Sequence, residues 1–226
     1  QSGSLGNNPV TVQSGTLGSD PFTVQSGTLG SNPFTVQSGT LASNPFTVKG
    51  GSLDSPPFEY RTGEVTDDGA GNAVIRVSSI GHGLEAGDTI TISGTSDFLG
   101  VDVNGTYSVH SVRDDNQFRI ALVGIDFPSP TGTTQSGGGS GGVLKSNRVH
   151  VTHNGHPFSD GNTATFSGAS SVGGQSLNSS FTVQNQSTNA YEFLLGSPAT
   201  AAATGGGGSV TVNASDQVTI AHSGHK

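Results

Sequence analysis

The stretch IGHGLEAGDTITISGTSDFLGVDVNGTYSV, Ile80 to Val109, decides the fold, because most of its pattern returns seventy-four residues later. His82 corresponds to His156, Gly87-Asp88 to Gly161-Asn162 and Ser93-Gly94 to Ser167-Gly168. Asn104 corresponds to Asn178, Tyr107 to Phe181 and Val109 to Val183. No gap is needed, so one folding unit is used twice. Within the first unit, Thr89-Ile90-Thr91-Ile92-Ser93 alternates hydroxyl and aliphatic side chains with the period of a half-buried strand. Asn104-Gly105 predicts a two-residue hairpin turn, for which Asn178-Ser179 is a poorer version. Residues 106–112 and 117–122 supply further strands around a turn at Asp114-Asp115-Asn116. Short strands with turns every eight to twelve residues or so predict a small antiparallel barrel or sandwich.

Before the doubled unit, a twelve-residue repeat runs five times: QSGSLGNNPVTV, QSGTLGSDPFTV, QSGTLGSNPFTV, QSGTLASNPFTV and KGGSLDSPPFEY. Each copy reads as an extended run followed by a Ser/Asn-Pro turn. Twelve is even, so each copy can present the same face. Phe34 and Leu41 are an odd number of positions apart, and a bulge at Gly39 would restore the phase. A strand-turn unit this short cannot bury its apolar residues alone and must stack on neighbours or on other chains. Leu5, Leu17, Leu29, Leu41, Phe22, Phe34, Phe46 and Phe58 are therefore the candidate assembly residues.

The expected organisation is all-β: strand-turn repeats, then two tandem antiparallel barrel or sandwich modules. The repeat occupies 1–60 and the first module 61–145. The Gly-rich tail of that module, TGTTQSGGGSGG at 131–142, reads as a flexible linker or exposed loop. The second module spans 146–215. Residues 216–226 read as an opening strand, since Val218 to His225 resembles Val149 to His156. Either a third module follows, or this strand completes a sheet in another chain.

Composition narrows the function. Glycine supplies 36 of 226 residues, only 11% are charged, and Cys, Met and Trp are absent. The net charge of −8 and the lack of a basic stripe argue against nucleic acid as a partner. No apolar run approaches the roughly 18 residues of a membrane helix, so no membrane partner is expected. Absence of Cys removes disulfides and thiolate metal sites.

Little in the chain points to catalysis, and neither an enzyme nor a cofactor is expected. No Gly-x-Ser-x-Gly elbow is present. Asp67-Asp68 and Asp114-Asp115 sit in turn-like strings, where carboxylates most often serve the backbone. His150, His153 and His156 are the candidate metal ligands. A spacing of three puts His150 and His153 on opposite faces of a strand, which favours instead a recurring turn histidine bonded to backbone.

His82-Gly83-Leu84, Gly87-Asp88, Ile90 to Gly94, Asn104 to Tyr107 and Phe118 together resemble a small β-module of tailed-bacteriophage structural proteins. The resemblance extends through His156-Pro157-Phe158, Phe166 to Ala169 and Gly173-Gly174, covering about residues 74 to 210. Such a module is similar in fold to the small β-barrel inserted in ubiquitin-activating enzymes, with no ubiquitin chemistry implied. The resemblance implies a virion protein, a fibre, tail or decoration component. It would assemble with itself, as a homotrimer or higher, and with other virion proteins. The alternatives are a fibre segment that binds a host-surface glycan or receptor, and a bacterial extracellular filament. A glycan site usually needs an exposed aromatic platform, and the chain offers only Tyr60, Tyr107 and Tyr191 besides its phenylalanines.

Overall fold

The computed structural model describes residues 10–13, 28–61, 64, 66–127 and 133–223. These are all-β, with no helix among them. Four strands come from the repeat segment: β1 (Val10–Gln13), β2 (Thr28–Thr40), β3 (Phe46–Ser52) and β4 (Phe58–Tyr60). The first module adds β5 (Ala73–Ser78), β6 (Thr89–Ser93), β7 (Gly105–Asp114), β8 (Gln117–Leu122) and β9 (Gln135–Gly137). A long strand, β10 (Val143–Thr152), leads to β11 (Thr163–Ser167), β12 (Ser180–Thr182), β13 (Gln184–Ser187), β14 (Ala190–Leu194) and β15 (Ala203–Gly205). A second long strand, β16 (Thr211–Ser223), follows.

The two modules share one antiparallel plan. In the first, β5 pairs with β8 (Ile75 opposite Ile120, Val77 opposite Phe118) and β6 pairs with β7. In the second, β10 pairs with β14 in the same way, with Val149 opposite Phe193 and Val151 opposite Tyr191. The strict alternation of 89–93 is kept: Ile90 and Ile92 are buried and the hydroxyl residues between them are half-exposed.

Each core is completed by the repeat segment. Phe46 and Val48 pair with the opening strand of the second module, Val151 and Val149, and join its core together with Leu41. Phe58 pairs with Val77 of the first module, and Leu53, Phe58 and Tyr60 join that core. Phe46 and Phe58 are both 0% exposed. The proline of the repeat has a defined place here. Pro45 and Pro57 start the inserted strands, where a missing N–H costs nothing, and their carbonyls accept from Thr152 N and Ser78 N at 2.9 and 2.8 Å.

The repeat segment is thus not set apart at residue 60. Its last two copies belong to the two modules in reverse order, the later copy to the earlier module. Leu41, Phe46 and Phe58 spend their apolar faces inside their own chain, so they do not stack on further copies of the repeat.

The module boundaries also differ from expectation. Residue 145 falls in the middle of β10, whose first half (Leu144 opposite Ile92) closes the first module while its second half opens the next. β16 does the same: Val212 pairs with Phe166 in the second module, and the strand continues without a break past residue 216. The phase correction lies on these long strands rather than at Gly39. Between Lys145 and Val149 the chain advances four residues while β3 advances two, from Gly50 to Val48. A bulge on the long strand lets one strand turn from one core to the next.

The glycine tract is not a linker in its described part. β9 pairs with β4, Gly137 opposite Phe58, just as β15 pairs with β3, Gly205 opposite Phe46. The next residues, Gly138 and Gly206, lie at positive φ against the rings of Phe58 and Phe46, where a Cβ would collide.

Asn104-Gly105 makes no two-residue turn either, since residues 94–104 separate β6 from β7. The Asn104 carboxamide binds the peptide of Thr95 on both sides, accepting from its N at 2.9 Å and donating to its O at 3.0 Å. Asn178 does the same to Ala169, at 2.7 and 2.8 Å. A side-chain amide that closes a long loop explains why the asparagine recurs and the glycine does not.

Truncating a large buried aromatic costs about 3–5 kcal/mol. Phe46→Ala should therefore expose the amides of Val149–Thr152 and β14 to hydrogen exchange while leaving β5 and β8 protected, and Phe58→Ala should do the reverse.

Candidate functional site

The most concentrated polar chemistry lies where β10 passes from one module to the next. Ser146, Asn147 and Arg148 occupy the bulge, and all three are buried. The Ser146 hydroxyl accepts from Arg148 N at 2.9 Å and fixes the bulge locally. Asn147 ties the two modules together. Its Oδ1 accepts from Thr89 N at 3.0 Å in the first, and its Nδ2 donates to Leu195 O at 3.2 Å in the second.

Arg148 is 2% exposed and sits among three carboxylates. It makes a two-pronged contact with Asp88, Nε to Oδ2 at 2.7 Å and Nη2 to Oδ1 at 2.8 Å. It also reaches Glu85 Oε2 at 2.9 Å and Glu192 Oε2 at 2.6 Å. Asp88 and Glu85 belong to the first module and Glu192 to the second, so the guanidinium is the bolt of the joint. Asn185 adds a bridge, donating to Glu85 Oε1 at 2.6 Å and Glu192 Oε2 at 3.1 Å.

Burial works against the charges on both partners, and the contacts outweigh it. Desolvation would lower the Arg148 pKa, but hydrogen bonds and charge from Asp88 and Glu192 hold it above its usual value. Desolvation would raise Glu192, but bonds from His150, Asn185 and Arg148, with the charge of Arg148, hold it at about 2. A planar, always-charged fork suits this role better than a lysine.

None of Arg148, Glu85 or Glu192 stands out in the sequence, since the partners of Arg148 lie 44, 60 and 63 residues away. One signal was available. The position of Arg148 in β10 corresponds to Gln217 in β16, as Val149 corresponds to Val218. The positions of Glu85 and Asp88 correspond to Ser159 and Asn162 in the second module. In the sequence, Arg148 accompanies Glu85 and Asp88, whereas Gln217 accompanies Ser159 and Asn162.

The remaining sites are structural in their contacts. His82 Nδ1 accepts from Leu84 N at 3.0 Å, and its Nε2 lies 3.0 Å from Asp114 O. His156 repeats this, with Phe158 N on Nδ1 at 3.2 Å and the carbonyls of Ser187 and Ala190 at 2.6 and 3.1 Å from Nε2. A carbonyl only accepts, so Nε2 carries the proton and both ring nitrogens are engaged. His150 faces Glu192, Nδ1 to Oε1 at 3.4 Å, away from the other two. His153 lies beside His156, ring centres 5.7 Å apart, with its Nδ1 3.5 Å from the Tyr191 hydroxyl.

The structure therefore separates His150 from the pair His153 and His156. No group of three or more His, Cys, Asp or Glu suited to a metal ion occurs among the described residues. The turn acids serve the backbone: Asp67 and Asp68 accept from Gly69 N and Ala70 N at 2.6 and 2.8 Å, and Asp114 from Asn116 N at 2.9 Å. Of the candidate assembly residues, Leu41, Phe46 and Phe58 are core. Leu29 and Phe34 fall on β2, and Leu5, Leu17 and Phe22 lie outside the described residues.

No protein-family model matches the chain, and neither a curated protein nor a solved structure matches it.

The joint and the histidine pair give the second module a pH signature. Burial, and then the charge of His156, push His153 down to about 4 from 6.5, so the unfolded chain binds its proton first as pH falls. Its neutral form stabilises the fold above pH 6.5, and that contribution is lost progressively down to about pH 4. Glu192 stabilises above its ordinary 4.5 and loses that contribution as pH falls toward about 2. Thermal unfolding of the second module should fall in these two stages, and His153→Gln should remove only the upper one.

Cutting the bolt leaves buried carboxylates without a cation, which typically costs about 3–5 kcal/mol. Arg148→Ala should lower denaturant stability by that amount. Adding Glu85→Ser and Asp88→Asn, with glutamine at 148, should recover part of the loss by rebuilding the composition of the second joint.

Proposed function

We propose that this chain is a structural component of a tailed-phage virion, an extended fibre or decoration protein that acts by assembly. The observation that carries the reading is the joint. Two barrel-like modules share a strand and are bolted by a buried arginine, so the chain is built to hold modules at a fixed angle. Fixed spacing and orientation are what a virion spacer needs. The resemblance of the doubled unit to phage β-modules points the same way.

The polar contacts support this reading further. His82, His156, Asp67, Asp68 and Asp114 are engaged with backbone in turns, and Asp88, Glu85 and Glu192 are all bonded to Arg148. Tyr60 and Tyr191 are core residues and Tyr107 is half-buried, its hydroxyl donating to Val103 O at 3.0 Å. That weighs against a tyrosine platform for a glycan.

Light scattering with negative-stain electron microscopy of the intact protein tests the proposal. A homotrimer or larger assembly with elongated particles is expected. A compact monomer at every concentration would contradict it.

A further inference from the structure

The two inserted strands follow one geometry. Phe58 faces Val77, and Phe46 faces Val151. Moving twelve residues back along the repeat moves one module forward along the chain. The next copy back keeps this relation: Phe34 faces Ile220 and Val36 faces Val218 across β2 and β16. The ladder on the other side of the bulge keeps the same order, with the β16 bulge one residue longer (Asn213 to Val218 against Lys145 to Val149). Ser52, Gly51 and Gly50 face Val143, Leu144 and Lys145, while Thr40, Gly39 and Ser38 face Thr211, Val212 and Asn213. The same register recurs in β3 against β10 and in β2 against β16, so it is a specific match rather than mere edge pairing.

We infer that β2 is the donor strand of a third module of the same kind. The partner it fits is a β-domain whose opening strand is the second half of β16 and which has no strand of its own in this position. Such a partner supplies a central strand like Thr163–Ser167 and a closing hairpin like β13 and β14.

The other edge of β16 marks where that hairpin goes. β1 lies there, Val10 opposite Ile220 and Val12 opposite Val218. This is the place of β14 in the second module, where Tyr191 and Phe193 lie opposite Val151 and Val149. β1 therefore holds the closing-hairpin position and would be displaced by the hairpin of a complete module. The sequence agrees, since His222-Ser223-Gly224-His225 repeats His153-Asn154-Gly155-His156 in the phase that leads into a module. The inference concerns pairing alone and stands whether or not the protein belongs to a virion.

The test is the full chain lengthened after Lys226 by a second copy of residues 158–214, so that the added segment follows His225 as Phe158 follows His156. Hydrogen exchange should show the added copy of β14 protected and the amides of Val10–Gln13 released. Phe34→Ser in the lengthened chain should cut protection in the added module about a hundred-fold or more, leaving the first two modules unchanged. Phe46→Ser should spare the added module. An added segment that stays unprotected, or that is equally protected with Phe34→Ser, would overturn the inference.

Discussion

Everything in this structure depends on the antiparallel ladder between a Phe-x-Val or Phe-x-Tyr strand of the repeat and the opening strand of a module. Without it, each module would expose an unpaired strand edge and lack three of its core side chains. The composition makes that loss severe. Hydrophobic residues are only 30% of the chain, and a small module with a thin core has little stability to spare. Borrowing a leucine, a phenylalanine and a valine or tyrosine from a distant segment is the solution found here. Glycine completes it, because only Gly138 and Gly206 let the backbone lie against the borrowed rings.

The second constraint is continuity. β10 and β16 each close one module and open the next, so there is no linker whose length could absorb motion between modules. The bulge re-aims the strand, and the polar residues in it decide the angle. At the first joint that task falls to Arg148, whose charge is fully met by Asp88, Glu85 and Glu192. A buried ion pair of this kind adds little net stability compared with an apolar contact, but it penalises every other orientation of the two modules. That is a means of specifying geometry.

Much of this was legible in the sequence, and the rest was hidden for physical reasons. The doubling at seventy-four residues, the all-β class, the inward Ile90 and Ile92 and the backbone-bonded turn histidines all follow from local pattern. The partner of the repeat does not, because Phe46 and Val151 are far apart in the chain and a twelve-residue period says nothing about what it pairs with. Asn104-Gly105 misled because local turn preference gave way to a side-chain amide that bridges a longer loop. The glycine tract misled because the same residue that makes a linker flexible also permits close packing on an aromatic ring. The arginine joint was concealed by distance along the chain, although the paired exchange of Glu85, Asp88 and Arg148 for Ser159, Asn162 and Gln217 encodes it.

The central claim is that each repeat copy belongs to one particular module, in reverse order along the chain. Disulfide formation tests it directly, because the chain has no cysteine of its own. The hydroxyls of Thr47 and Thr204 already meet at 3.0 Å across β3 and β15, and Ser136 holds the equivalent place in the first module. Thr47→Cys with Thr204→Cys should oxidise to an intramolecular disulfide in the folded protein, and Thr47→Cys with Ser136→Cys should remain two thiols. Closure of the crossed pair as readily as the first would contradict the assignment of repeats to modules.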